Sequence, residues 1–97
     1  MKVLAVEPDK DAYIINISNE LSEMQDIIEG YIQVIQIEEN VVLVCNEEGK
    51  LIGLRPNRAI YHDGFVDIIA GNFFLCECDG ENFTSISDEN IEKYRNI

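Results

Sequence analysis

Three of the chain's seven cationic side chains, Lys50, Arg55 and Arg58, fall within nine residues, while the rest of the sequence is strongly acidic. Arginine can grip a phosphate with a bidentate fork and lysine adds a point charge, so the cluster suits an anion or a partner surface. Gly49 and Gly53 permit tight turns or close backbone approach. Pro56 sets a bend and pushes Arg55 toward an extended conformation. With Pro56 at the first turn of a short helix, Asn57, Arg58 and free backbone N–H groups would lie at its positive end, a favourable place for phosphate or carboxylate. Tyr61, Phe65 or Phe73 would then pack on a base or ribose. The ordinary alternative is that Lys50, Arg55 and Arg58 pair with neighbouring acids such as Glu47, Glu48 and Asp63.

Other chemistry-bearing residues point less far. His62 is the only histidine. It sits between Tyr61 and Asp63 in a polar turn, with no serine or cysteine at a recognisable catalytic spacing, so it reads as a surface residue. Cys45, Cys76 and Cys78 form an odd set, which suggests free thiols in a reducing compartment. On a strand, Cys76 and Cys78 would share a face with Phe74 and serve as small hydrophobes. A zinc site adding Cys45 and His62 lacks the paired ligand spacing. Asp9-Lys10-Asp11 lacks the later glycine and glutamate of a calcium loop. No metal or cofactor is therefore expected. The phosphate-cradling Gly-x-x-x-x-Gly-Lys loop, the Gly-x-Ser-x-Gly elbow and His-Glu-x-x-His are all absent, which makes an enzyme the weakest class.

The elements that must position these residues follow from pattern. Ninety-seven residues make one small domain, 46% apolar, for which oligomer formation would help bury surface. Strands are expected from Lys2 to Glu7 and from Ala12 to Ile17, joined as a hairpin through the turn Pro8-Asp-Lys-Asp11. Leu21, Met24, Ile27 and Ile28 recur at helical spacing, with Ser18 or Asn19 as cap and Gly30 as the stop. Glu20, Glu23, Asp26 and Glu29 take the solvent side. Tyr31 to Ile37 and Val41 to Cys45 make a second hairpin around Glu38-Glu39-Asn40. Lys50 to Leu54 would return as a strand, and Pro56 would then break the sheet. Phe65 to Ile69 and Asn72 to Glu77 read as strands, and Ser87-Asp88-Glu89 caps a short final helix bearing Ile91, Tyr94 and Ile97. The sum is an α+β domain with a mostly antiparallel sheet of about five or six strands, one helix on a face and a short C-terminal helix at an edge.

The formal net charge of −12 repels phosphate backbones and anionic lipids at long range, which disfavours duplex nucleic acid and membrane surfaces as partners. No stretch has the roughly 20 apolar residues of a membrane span, and the N-terminus does not read as a signal peptide. A cytoplasmic location is expected. The charge is itself a candidate function: the acids along the chain could imitate DNA phosphates and occupy a basic groove.

The run Cys45-Asn-Glu-Glu-Gly-Lys-Leu-Ile-Gly-Leu-Arg-Pro-Asn-Arg-Ala59 resembles small proteins grouped as domain of unknown function DUF3846, found in bacteriophages and bacterial mobile elements. Met1-Lys-Val-Leu-Ala-Val-Glu-Pro8, Gly30-Tyr31-Ile32-Gln33-Val34, Ile68-Ile69-Ala70-Gly71-Asn72-Phe73 and the stretch from Leu75 to Asp88 fit it as well. The resemblance implies a viral or mobile-element setting inside a bacterial host, where small proteins often counter host defence, and transfers no catalytic residue. Two expectations result. In the first, a non-enzymatic homo-oligomer sequesters a small anionic, nucleotide-derived defence signal through Lys50, Arg55, Asn57, Arg58, Tyr61, Phe65 and Phe73. In the second, an acidic interaction protein blocks a nucleic-acid-binding host factor, such as a host defence protein, by charge mimicry.

Overall fold

Val3, Leu4, Ala5 and Val6 are all buried, so this first strand is covered on both faces. The computed structural model, which describes residues 1–97, shows what covers it. The elements in order are β1 (Lys2–Val6), β2 (Tyr13–Asn16), α1 (Leu21–Ile28), β3 (Ile32–Gln36), β4 (Val41–Asn46), β5 (Pro56–His62), β6 (Phe65–Ala70), β7 (Phe73–Asp79), β8 (Asn82–Thr84) and α2 (Asp88–Tyr94). The main sheet is antiparallel and runs β2-β1-β7-β4-β3, with the short β8 paired to the far end of β7. β5 and β6 form a separate two-stranded sheet.

Period-two alternation divides the sheet's side chains between two cores. On one face Val3, Val42, Val44, Phe74 and Cys76 meet Met24 and Ile28 of α1. On the other, Leu4, Val6, Leu43, Cys45, Phe73 and Leu75 meet Ile60 and Ile69 of the β5–β6 hairpin, with Ile91, Tyr94 and Ile97 packed alongside. The architecture is therefore three-layered: α1, the sheet, then the hairpin with the C-terminal segment. The expected α+β class, the sheet size and both helices match this arrangement. Cys76 and the half-buried Cys78 do share the face of Phe74.

Four local expectations are overturned. Residues 50 to 54 form a turn rather than a strand. That turn closes on itself through Ile52 N–H to Glu48 C=O at 3.0 Å and Leu54 N–H to Gly49 C=O at 2.9 Å. Pro56 neither breaks the sheet nor opens a helix, because it is the first residue of β5, a position where a missing N–H is tolerated. The stop of α1 is not Gly30 but Glu29, which takes the left-handed conformation at φ 64°. Gly30 is needed for another reason: a Cβ there would lie 2.7 Å from Asn46 Nδ2. The N-terminal cap also differs: it is Glu20, whose side chain makes no cap bond, rather than Ser18 or Asn19. The Ser18 N–H donates to Glu23 Oε2 at 3.1 Å and the Ser18 hydroxyl donates to the same oxygen. No helix is long and apolar enough to cross a membrane.

Candidate functional site

The seven residues expected to form one ligand site are distributed over several environments. Asn57 is the extra residue of a bulge, since the β5–β6 register slips between Pro56 and Arg58. A bulge re-aims its side chain, and here the Asn57 amide donates to Val6 C=O and Gly71 C=O, both at 2.9 Å. Arg58 turns its guanidinium inward. Nε donates to Ile97 C=O at 3.0 Å, Nη1 to Asn57 Oδ1 at 2.8 Å and to Asn57 C=O at 3.2 Å, and Nη2 to Lys10 C=O. Arg58 thereby pins the chain's last residue and the β1–β2 turn to β5. Phe73 is fully buried in the core beneath the hairpin, so as folded it offers no stacking face.

The remaining four are exposed but face apart. Arg55 pairs with Asp9. Lys50 Nζ is 2.7 Å from Asp67 Oδ1, and this bond is the main reason the Asp67 carboxyl is held below its ordinary range. Lys50 lines a groove of about 300 Å³ with Gln33, Cys45, Glu47, Glu48 and Asp67. Of the seven expected residues only Lys50 reaches that groove, and three acids oppose it there. Tyr61 borders a different groove, with Ile37, Tyr94 and Ile97. Phe65 lies at the hairpin tip, its ring centroid 5.0 Å from that of His62.

His62 is not a surface residue. Its side chain is 9% exposed, with Nε2 3.3 Å from Asp67 Oδ2 and Nδ1 3.5 Å from Asp63 Oδ2. The cysteines are separated by the sheet: Cys45 faces the hairpin and Cys76 faces α1. Burial pushes the Cys45 thiol up to about 11 and the Cys76 thiol up to about 12, which keeps both as neutral packing groups.

Two surfaces stand out once these positions are known. The first is acidic. Six of the seven cations, Lys2, Lys10, Lys50, Arg55, Lys93 and Arg95, are paired with an acid. The seventh, Arg58, is held by carbonyl groups and Asn57. None of these ion pairs involves Glu20, Glu23, Asp26 or Glu29, which lie along and beside α1. The Ser18 bonds lower the Glu23 pKa, which favours its charged form. Asp26 and Glu29 border a shallow groove of about 420 Å³ that ends at Tyr31, a ring 68% exposed. Sequence reasoning found the acids but placed Tyr31 only in an alternating strand. The signal was an aromatic residue directly after Glu29-Gly30.

The second surface is apolar. Cross-strand pairs Ala59–Ile68 and Tyr61–Val66 put these four side chains on one face of the hairpin, opposite Ile60 and Ile69. That face is open: Tyr61 is 71%, Val66 61% and Ile68 45% exposed.

The model of the family described as Domain of unknown function (DUF3846) matches residues 1–97. No curated protein and no solved structure matches the chain. The match covers both the acidic α1 and the β5–β6 hairpin, and the chain belongs to the DUF3846 family.

Proposed function

We propose that this chain is a non-enzymatic interaction protein that occupies a basic, nucleic-acid-binding surface of another protein with the acidic face of α1. In a phage or mobile-element setting, that partner would be a host defence factor. One observation carries the reading: the cations are engaged within the chain, while the α1 carboxylates have no cation partner. The acids at 20, 23 and 26 recur every three residues, a rise of about 4.5 Å along a helix axis. That is the same order as the roughly 3.4 Å of axis per phosphate on one DNA strand. Tyr31 adds a ring over which a partner's Arg or Lys can stack while Asp26 and Glu29 take its charge.

Competition for immobilised duplex DNA tests this. The wild-type chain should release host DNA-binding proteins from the column, and release should weaken as salt rises. The triple variant Glu20→Lys, Asp26→Lys, Glu29→Lys should release none while melting like the wild type. It spares Glu23, whose carboxylate serves the helix start. If wild type and variant behave alike, the reading fails.

A nucleotide-derived ligand is the second reading, and it has one observation in its favour. The Lys50–Asp67 and Arg55–Asp9 pairs are well exposed on their cationic side, at 62% and 70%. Exposed pairs contribute about 0–1 kcal/mol, so a phosphate could displace either carboxylate. A nucleotide and cyclic-nucleotide thermal-shift screen, repeated on Lys50→Ala with Arg55→Ala, decides it. Stabilisation of the wild type alone supports sequestration, and a flat screen removes it.

A further inference from the structure

The outer face of the β5–β6 hairpin is a second, independent surface, and its chemistry differs from that of α1. It consists of Ala59, Tyr61, Val66 and Ile68, with no charge among them. A two-stranded hairpin is marginal by itself in water, and this one is covered on its inner side only. Leu51, 86% exposed, adds apolar surface beside this face, bordering with Ile68 the groove that also holds the Lys50–Asp67 pair. Monomers seldom leave such a patch uncovered.

We infer that this face is covered by the same face of a second copy, forming a symmetric dimer hairpin to hairpin. The charge distribution selects that occupant. Two chains of formal charge −12 repel one another over most of their surfaces. Residues 49 to 70, which include the whole hairpin, hold three cations against two acids, Asp63 and Asp67, so the hairpin region is where two copies meet with least repulsion. The cations there are neutralised by Asp67 and Asp9 or held by carbonyl groups, so a strongly acidic partner finds little free positive charge. A strongly basic partner finds the uncharged face less attractive than α1. An isologous contact places the same patch on both subunits, as a face of this composition requires. The side chains of Leu51, Tyr61, Val66 and Ile68 supply on the order of 400–500 Å² of apolar surface per copy. That is short of the roughly 800 Å² per partner of a standard interface, so the dimer is a weak one that forms in the micromolar range. Its salt response has a definite sign: added salt screens like charges and strengthens it, the opposite of α1 binding a basic partner.

Sedimentation equilibrium across the micromolar range, at low and high salt, tests the inference. The wild type should pass from monomer to dimer with concentration, with the dissociation constant falling several-fold as salt is added. Val66→Glu should abolish the dimer. Val66→Thr, which keeps the β-branched shape, should weaken it at least tenfold with the melting profile retained. Ile14→Thr, at an exposed position on β2, should leave the dimer unchanged. A chain that stays monomeric throughout overturns the inference, and so does a dimer that survives both Val66 variants or dissociates as salt rises. The DNA-competition result bears on α1 alone, so failure of one reading leaves the other standing.

Discussion

Asn57 Oδ1 accepts a hydrogen bond from Arg58 Nη1 at 2.8 Å, and these two neighbours tie four distant parts of the chain together. Through Asn57 they hold β1 and the turn before β7, and through Arg58 they hold the β1–β2 turn and the C-terminal residue. A pair whose types suit phosphate recognition is thus a structural clasp in this fold. Arg58→Ala should lower stability without any ligand present, by about 1.5–3 kcal/mol for a lost charge-assisted hydrogen bond. Arg58→Lys should not restore it, because an ammonium lacks the planar fork. Urea denaturation measures both. Unchanged stability together with lost nucleotide binding would return Arg58 to a ligand role.

Asn46 is the buried polar residue at the end of β4, and it closes α1 from outside the helix. Its amide donates to Ile28 C=O at 3.1 Å and Glu29 C=O at 3.2 Å, and its Oδ1 accepts the Glu48 N–H at 2.8 Å. Asn46→Ala leaves these groups unmatched and should cost about 1–3 kcal/mol. Asn46→Asp should fare no better, since it loses the donor and puts a negative charge at the helix C-terminus. Amide exchange along α1 should accelerate in both variants. Slow exchange preserved in Asn46→Ala would show that the helix packs adequately without this cap.

The C-terminal helix should loosen in acid. Glu38, just beyond β3, accepts from Lys93 Nζ and from the Tyr94 hydroxyl. The Lys93 bond leads in holding the Glu38 carboxyl below its ordinary range, with Tyr94 second. Because the folded pKa is the lower one, the stabilisation is complete above the ordinary carboxylate range and is lost as pH falls through the folded value. Glu38→Gln should therefore be less stable than the wild type at neutral pH. The two denaturation midpoints should converge as the pH drops below about 4. A gap that persists in acid would mean that packing, not ionisation, holds α2.

The thiols should react in order of burial. Cys45 and Cys76 are buried, with pKa values pushed up to about 11 and about 12, whereas Cys78 is half-buried. A disulfide reagent at mildly alkaline pH should modify Cys78 first. Cys45 and Cys76 should react only as fast as the chain unfolds. Fast modification of Cys76 in the folded protein would contradict its place under α1.

Local pattern identified most elements because their signals act over a few residues. The 3.6-residue recurrence of Leu21, Met24 and Ile28 specifies α1. The β-branched run from Val41 to Val44 specifies β4, and Ser87 caps α2 by accepting the Asn90 N–H. One local signal was passed over. Asp63-Gly64, with φ of 50° and 81°, is the two-residue turn that joins β5 to β6. An Asp-Gly pair between alternating strands is among the strongest hairpin signals. Pro56 obscured it by suggesting a break where a strand begins.

What the sequence by itself determined is the α+β class, the acidic face of α1 and the burial of Met24 and Ile28, though not of Leu21, which stays 56% exposed; these depend on periodicity and charge along short segments. Only the tertiary structure decided the fate of the cations. Lys50 meets Asp67 at a separation of 17 residues, Arg58 meets Ile97 at 39 and Lys10 at 48, and Asn57 meets Val6 at 51. No local pattern encodes such partners, because they are set by how the hairpin folds back over the sheet. The same packing step sends Ile60 and Ile69 inward and leaves Tyr61, Val66 and Ile68 facing water. A strand's alternation names two faces, but only the layer that arrives against one of them determines which is buried.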